Sequence, residues 1–89
     1  MDLQQVCLDC ISHIDALSEL RSSAPQKARE ELLAIRMKWD RIVKDYRSSD
    51  IARVVADAKT KLPDLDSSDA RWSHCLADAR GTFLFYVHQ

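Results

Sequence analysis

Residues 7–13 read CLDCISH, and the fold turns on how this stretch is read. Cys7 and Cys10 are spaced as C-x-x-C with His13 three residues on, the pattern of a reactive thiol pair or of the start of a metal site. The same residues also continue an apolar stripe. Leu3, Cys7, Cys10, Ile14 and Leu17 recur at spacings of four and three, and Val6 and Leu20 widen the stripe. Gln4, Gln5, Asp9, Ser12, Asp15 and Glu19 fall outside it. That period marks an amphipathic helix.

A redox C-x-x-C normally opens a helix after a strand, where the helix dipole lowers a thiol pKa. Here the pair lies inside the helical pattern. Helical side chains three apart hold their Cβ atoms ~5–6 Å apart, whereas a disulfide needs ~3.5–4.5 Å. The stretch is therefore read as part of a helix over residues 2–21, with its thiols packed as small hydrophobes. The metal alternative gathers Cys7, Cys10 and Cys75 with His13 or His74 around zinc. No second C-x-x-C and no paired histidine spacing supports it, and no cofactor or metal is expected.

Working outward, three serine clusters punctuate the chain: SSAP at 22–25, SSD at 48–50 and SSD at 67–69. Serine oxygens accept from the free N–H groups of a first helical turn, and aspartate there complements the dipole. Ser23 with Gln26 fits a capping box, with Pro25 allowed in the first turn. Three further helices follow. The second, residues 24–47, buries Ala28, Leu32, Ile35, Trp39, Ile42 and Tyr46, and carries candidate ion pairs four apart at Lys27–Glu31, Arg36–Asp40, Asp40–Lys44 and Arg41–Asp45. The third, residues 50–62, aligns Ile51, Val54, Val55, Ala58 and Leu62 and stops at Pro63. The apolar phase jumps at Ser48–Ser49, which places a break there; the alternative is one long helix that exchanges its buried face. The fourth, residues 68–87, aligns Trp72, Leu76, Ala79, Phe83 and Tyr86, with Cys75 alongside. Its stripe runs through Gly81 in phase, although TFLFYV at 82–87 also suits a strand.

Four stripes joined by short turns predict an all-α fold, a small antiparallel bundle of four helices forming one domain over residues 1–89. Composition agrees. Hydrophobic residues make up 46%, enough for a core, while one Gly and two Pro are too few for the turns of an all-β domain.

Thirteen basic residues against 14 acidic ones leave a net charge of −1, so no global field draws the chain to nucleic acid or anionic lipid. The opening MDLQQ lacks the basic region of a secretory signal, and the longest apolar run, Phe83 to Val87, is too short to span a membrane. With three cysteines and no export signal, a reducing cytoplasmic setting is expected. The charge is unevenly spread. Residues 1–22 carry one Arg against four acids, whereas 23–47 carry seven basic against four acidic residues. A nucleic-acid reading would use Arg29, Arg36, Arg41, Lys44 and Arg47 as phosphate contacts. Their spread around the second helix, interleaved with acids, instead favours a solvated helix matched to an acidic first helix.

No Glu-x-x-His, Gly-rich phosphate loop or G-x-S-x-G is present. His13 sits at a stripe margin and His88 near the C-terminus. No catalytic constellation emerges, and the chain is not expected to be an enzyme.

What asks for an explanation is a set of apolar residues off the stripes. Leu8 lies opposite the first helix's core face. Leu33 and Met37, four apart, form a ridge away from Trp39. Leu84 and Phe85 project off the fourth helix, and with Tyr86 of its stripe they make an aromatic-rich tail. Clustered exposed apolar residues mark interfaces. The expected function is a small protein–protein interaction module, acting as an adaptor, an assembly subunit or a stoichiometric inhibitor of the phage or plasmid kind. Its partner is another protein or a second copy in a homodimer. It would bind through Leu33, Met37, Leu84, Phe85 and Tyr86 by helix-face docking, or by strand addition if the tail is extended. Nucleic-acid binding through the second helix is one alternative, and a cysteine-based metal or redox site is the other.

Overall fold

Three of the four helices begin where the sequence supplies a capping oxygen. In the computed structural model, which describes residues 2–88, Asp2 accepts the Gln5 N–H at 2.8 Å and opens α1 (Leu3–Ser23). Ser49 accepts from Ala52 at 3.4 Å and opens α3 (Asp50–Thr60). Ser68 accepts from Arg71 at 3.2 Å and opens α4 (Asp69–Val87). Asp50 and Asp69 add negative charge to the first turns, where the helix dipole is positive.

The exception is α2 (Pro25–Asp45), where the expected Ser23–Gln26 capping box does not form. Ser23 belongs to the last turn of α1, and its hydroxyl donates to the Glu19 carbonyl at 3.1 Å. Ala24 alone links the helices: its N–H donates to Leu20 at 2.7 Å and its carbonyl accepts from Ala28 at 3.0 Å. A one-residue link leaves Ser23 no position outside α1 from which to cap α2. Pro25 costs nothing at N1, because the N–H it lacks would have had no helical partner.

The break at Ser48–Ser49 is present, so α2 and α3 are separate helices. Ser48 takes the left-handed conformation at φ 70°, which turns the chain and frees Ser49 to cap. The N–H of Ser49 donates to the Tyr46 carbonyl at 3.0 Å. At the other end of the chain, α4 continues through Gly81 to Val87, and residues 82–87 are helix rather than strand. No strand occurs among the described residues.

α1 packs beside α2 and α4, and α3 packs beside α2 and α4, so α2 and α4 occupy opposite corners of the bundle. The direction of α1 against α4 is set at both ends. The Gln4 amide donates to the Val87 carbonyl at 3.3 Å, and Arg21 meets Asp69 at 2.8 Å. The apolar stripes meet in one core. Val6, Cys7, Cys10, Ile14 and Leu17 of α1 face Ala28, Leu32, Ile35 and Trp39 of α2, and α3 and α4 complete it with Val54, Val55, Trp72, Leu76 and Phe83. Trp39 and Phe83 bridge the diagonal edge to face, with ring centroids 5.2 Å apart. An aromatic pair of this geometry contributes about 0.5–1.5 kcal/mol beyond burial.

α3 has 11 residues against 21 in α2, so at 1.5 Å per residue it covers only about half of its neighbour's length. The segment 61–68 covers the rest. Leu62 and Pro63 are buried and Leu65 packs against the core. An irregular backbone in this position needs donors for its carbonyls, and three arginines supply them. Arg36 donates to Pro63, Arg29 to Leu65 at 2.8 Å, and Arg21 to Ser67 at 3.3 Å. Arg29 also reaches Asp66 at 3.2 Å, while Arg21 bonds Asp69 and lies 4.5 Å from the Trp72 ring centroid. Arg36 therefore does not pair with Asp40. Asp40 turns to Lys59 of α3 instead. None of the four ion pairs expected along α2 forms among the described residues. A pair four apart contributes only about 0.2–0.5 kcal/mol, less than the 1.5–3 kcal/mol (roughly) of a hydrogen bond to a charged group.

Gly81 gives a direct test of the α4 assignment. It is exposed, its φ is not positive, and a Cβ built there meets no atom within 4 Å. Gly81→Ala is expected to stabilise the protein by about 0.5–1 kcal/mol. That corresponds to a rise of roughly 2–8 °C in Tm, readable by thermal melting. A lower Tm would contradict a helix running through this position.

Candidate functional site

The opening thiols are core. Cys7 and Cys10 are buried by α2 and α4, and Cys75 is half-buried. Burial pushes the Cys7 thiol up and, with Cys7 and Asp9 nearby, pushes Cys10 up to about 12. Burial of this kind keeps both thiols in the neutral form at pH 7, which disfavours attack as a nucleophile. No three His, Cys, Asp or Glu side chains gather into a metal-holding group among the described residues. The convergence of Cys7, Cys10 and Cys75 with His13 or His74 therefore finds no geometry here.

His13 is half-buried at the α1–α2 margin, and its Nδ1 has no hydrogen-bond partner. Burial, followed by the positive charge of Lys38, lowers its pKa, with Asp9 and Glu31 opposing. His74 is exposed beside Asp78 at 3.4 Å, and His88 is exposed.

The five basic residues considered for phosphate contacts divide into two sets. Arg29 and Arg36 are held by the 61–68 segment. Arg41, Lys44 and Arg47 are exposed and enter no ion pair among the described residues. Lys38 joins them. Its sequence signal was its place directly after Met37, which counts for nothing until Met37 is known to face solvent. The expected electrostatic match of α2 to α1 is not made by ion pairs: Asp15 of α1 pairs with Arg80 of α4 at 2.8 Å, and Arg21 with Asp69.

The apolar residues off the stripes separate as well. Met37 is 73% exposed, Phe85 60%, Leu33 48% and Leu8 44%. Leu84 and Tyr86 are half-buried against the core. Phe85 stacks edge to face on Tyr86 at 5.1 Å, beside the groove between α3 and α4. Since α2 and α4 are diagonal, the Leu33–Met37 ridge and the aromatic tail are two surfaces. The ridge borders the larger concavities. One, of about 720 Å³, is lined by Met37, Lys38, Arg41 and Lys44. The next, of about 650 Å³, is lined by Val43, Lys44, Arg47 and Ala52 at the α2–α3 turn.

Comparison of the chain with protein-family models, with curated proteins and with solved structures finds no match. No helix among the described residues is long and apolar enough to cross a membrane.

Proposed function

We propose that the chain is a small, non-catalytic protein–protein interaction module whose main contact surface is the outer face of α2. The reading covers an adaptor, an assembly subunit or a stoichiometric inhibitor. It is carried by the exposure of Met37 (73%) and Leu33 (48%), four residues apart on one side of α2. An exposed methionine is a flexible, polarizable contact suited to a partner's apolar side chains. Phe85, with Leu84 and Tyr86 behind it, is a second and smaller contact on α4. Three free thiols suit a reducing, cytoplasmic setting.

Met37→Asp combined with Leu33→Asp tests this. Both positions are exposed, so the double variant is expected to keep its helical circular dichroism and to melt within about 1 kcal/mol of the wild type. Proteins cross-linked to the wild type through a photoreactive residue at position 34 are expected to disappear with the variant. Identical cross-linked products from both would count against α2. In that case Phe85→Asp asks the same question of the second surface.

A further inference from the structure

Six Lys and Arg side chains form ion pairs with acids: Arg21, Arg29, Arg53, Lys59, Lys61 and Arg80. Seven do not, among the described residues: Lys27, Arg36, Arg71, and also Lys38, Arg41, Lys44 and Arg47, of which the last four are all exposed within ten positions of one another. Asp9 and Glu31 share the surroundings of Lys38, since all three act on His13. Asp40 is engaged by Lys59 and Asp50 by Arg53, which leaves Asp45 as the acid of this stretch without an ion pair. The helix dipole accounts for Lys44, which lies in the last turn of α2. It does not account for Lys38 or Arg41, because its effect decays within that turn. The same four cations line the two concavities beside the ridge. Those concavities are separate and adjoin at Asp40 and Lys44; Asp45 also lines the one at Met37, and Val43 and Ala52 line the one at the α2–α3 turn.

We propose that this outer face of α2 receives an acidic amphipathic segment of another protein. Its apolar side chains lie against Leu33, Met37 and Val43, and its carboxylates against Lys38, Arg41, Lys44 and Arg47. The proposal rests on the interaction reading above and adds the chemistry of the partner. Opposite charge around an apolar ridge raises the rate of encounter and excludes wrong partners. A second copy docked about a two-fold axis would bring the same cations face to face. A nucleic acid backbone would use the cations but would leave Leu33 and Met37 without a counterpart, with Asp45 beside the phosphates.

The test displays helical peptides of about 20 residues, the length of α2. Their apolar positions are held on one face and their polar positions are randomised among Glu, Gln and Lys. Peptides selected on the full chain are then measured by fluorescence anisotropy. The expected winners are rich in Glu. They should bind more weakly in added salt, lose roughly tenfold or more in affinity to a Lys38→Glu, Arg41→Glu, Lys44→Glu variant, and lose binding to Leu33→Asp with Met37→Asp. The neutral variant Lys38→Gln, Arg41→Gln, Lys44→Gln gives a smaller loss in the same direction and guards against a fold damaged by charge reversal. Winners without Glu that still require Leu33 and Met37 would overturn the acidic partner and leave the interaction module standing. No binders, or binders indifferent to Leu33 and Met37, would overturn both. A wild-type dimer in sedimentation that Met37→Asp dissolves would assign this face of α2 to a second copy. Duplex binding at low salt that the charge reversal abolishes would assign it to nucleic acid. Either result also overturns the proposal.

Discussion

Trp39→Ala is expected to remove about 3–5 kcal/mol of stability, the largest single loss from this core. Trp39 has no exposed surface and is the largest side chain of α2 in the cluster. It also makes the ring contact with Phe83 that links the two opposite corners of the bundle. Truncation would leave a cavity at the centre, where four helices converge and none is free to collapse inward. A chain of this size has roughly 4–13 kcal/mol in total, so the variant is expected to be partly unfolded at 37 °C. Trp39→Phe separates packing from polarity. It keeps a ring against Phe83 and removes an indole N–H that has no acceptor among the described residues, so a loss of about 1–2 kcal/mol is expected. Urea denaturation of both variants gives the comparison. Equal losses would mean that the aromatic contact contributes nothing.

Alkaline pH is expected to act through Cys10. Its folded-state pKa, about 12, lies above the ordinary 9.0 because burial and the neighbouring Cys7 and Asp9 resist the thiolate. The unfolded chain releases the proton near pH 9 while the folded chain retains it. The stability associated with the neutral thiol is therefore fully present below pH 9 and is lost as pH rises towards 12. The loss approaches an amount on the order of 4 kcal/mol. Cys7, also raised, adds in the same direction. Urea midpoints at several pH values between 8 and 11 should fall steeply for the wild type. For Cys10→Ala they should start lower, because the core loses volume, and then fall less. Parallel slopes would show that Cys10 is not the group responsible. His13 has the opposite dependence. Its lowered pKa means that the unfolded chain takes up the proton first, so stability falls as pH drops below 6.5.

How far the sequence could be read depended on the range of the interaction. Cys7 and Cys10 were legible as core because a spacing of three and four places them with Leu3, Ile14 and Leu17 whatever the helix packs against. Gly81 did not end α4, because the stripe on either side of it keeps one phase and nothing near the exposed position requires a turn. Arg36 and Asp40 were misleading. Their spacing invites a pair, yet each finds a partner in another part of the chain, Pro63 and Lys59. No local pattern announces that segment 61–68 would run along α2 beyond the short α3 and require donors. Ser23 misled for the related reason that a one-residue link extends α1 through it.

The surface reading depends on the same division. Leu33 and Met37 were recognisable as off the core stripe of α2, and Leu84 as off that of α4, but covered and uncovered residues look alike in sequence. Leu84 is packed against the core and Met37 is not, because only the arrangement of the helices sets which outer faces meet a neighbour. The four helical segments and their inward faces were readable from the chain, since helical period and capping are properties of a few adjacent residues. Packing of the whole chain places α2 and α4 at opposite corners, lets Arg21, Arg29 and Arg36 hold the connecting segment, and leaves Lys38, Arg41, Lys44 and Arg47 without ion pairs among the described residues. Those outcomes depend on which distant surfaces come together, and that is set by packing the whole chain at once.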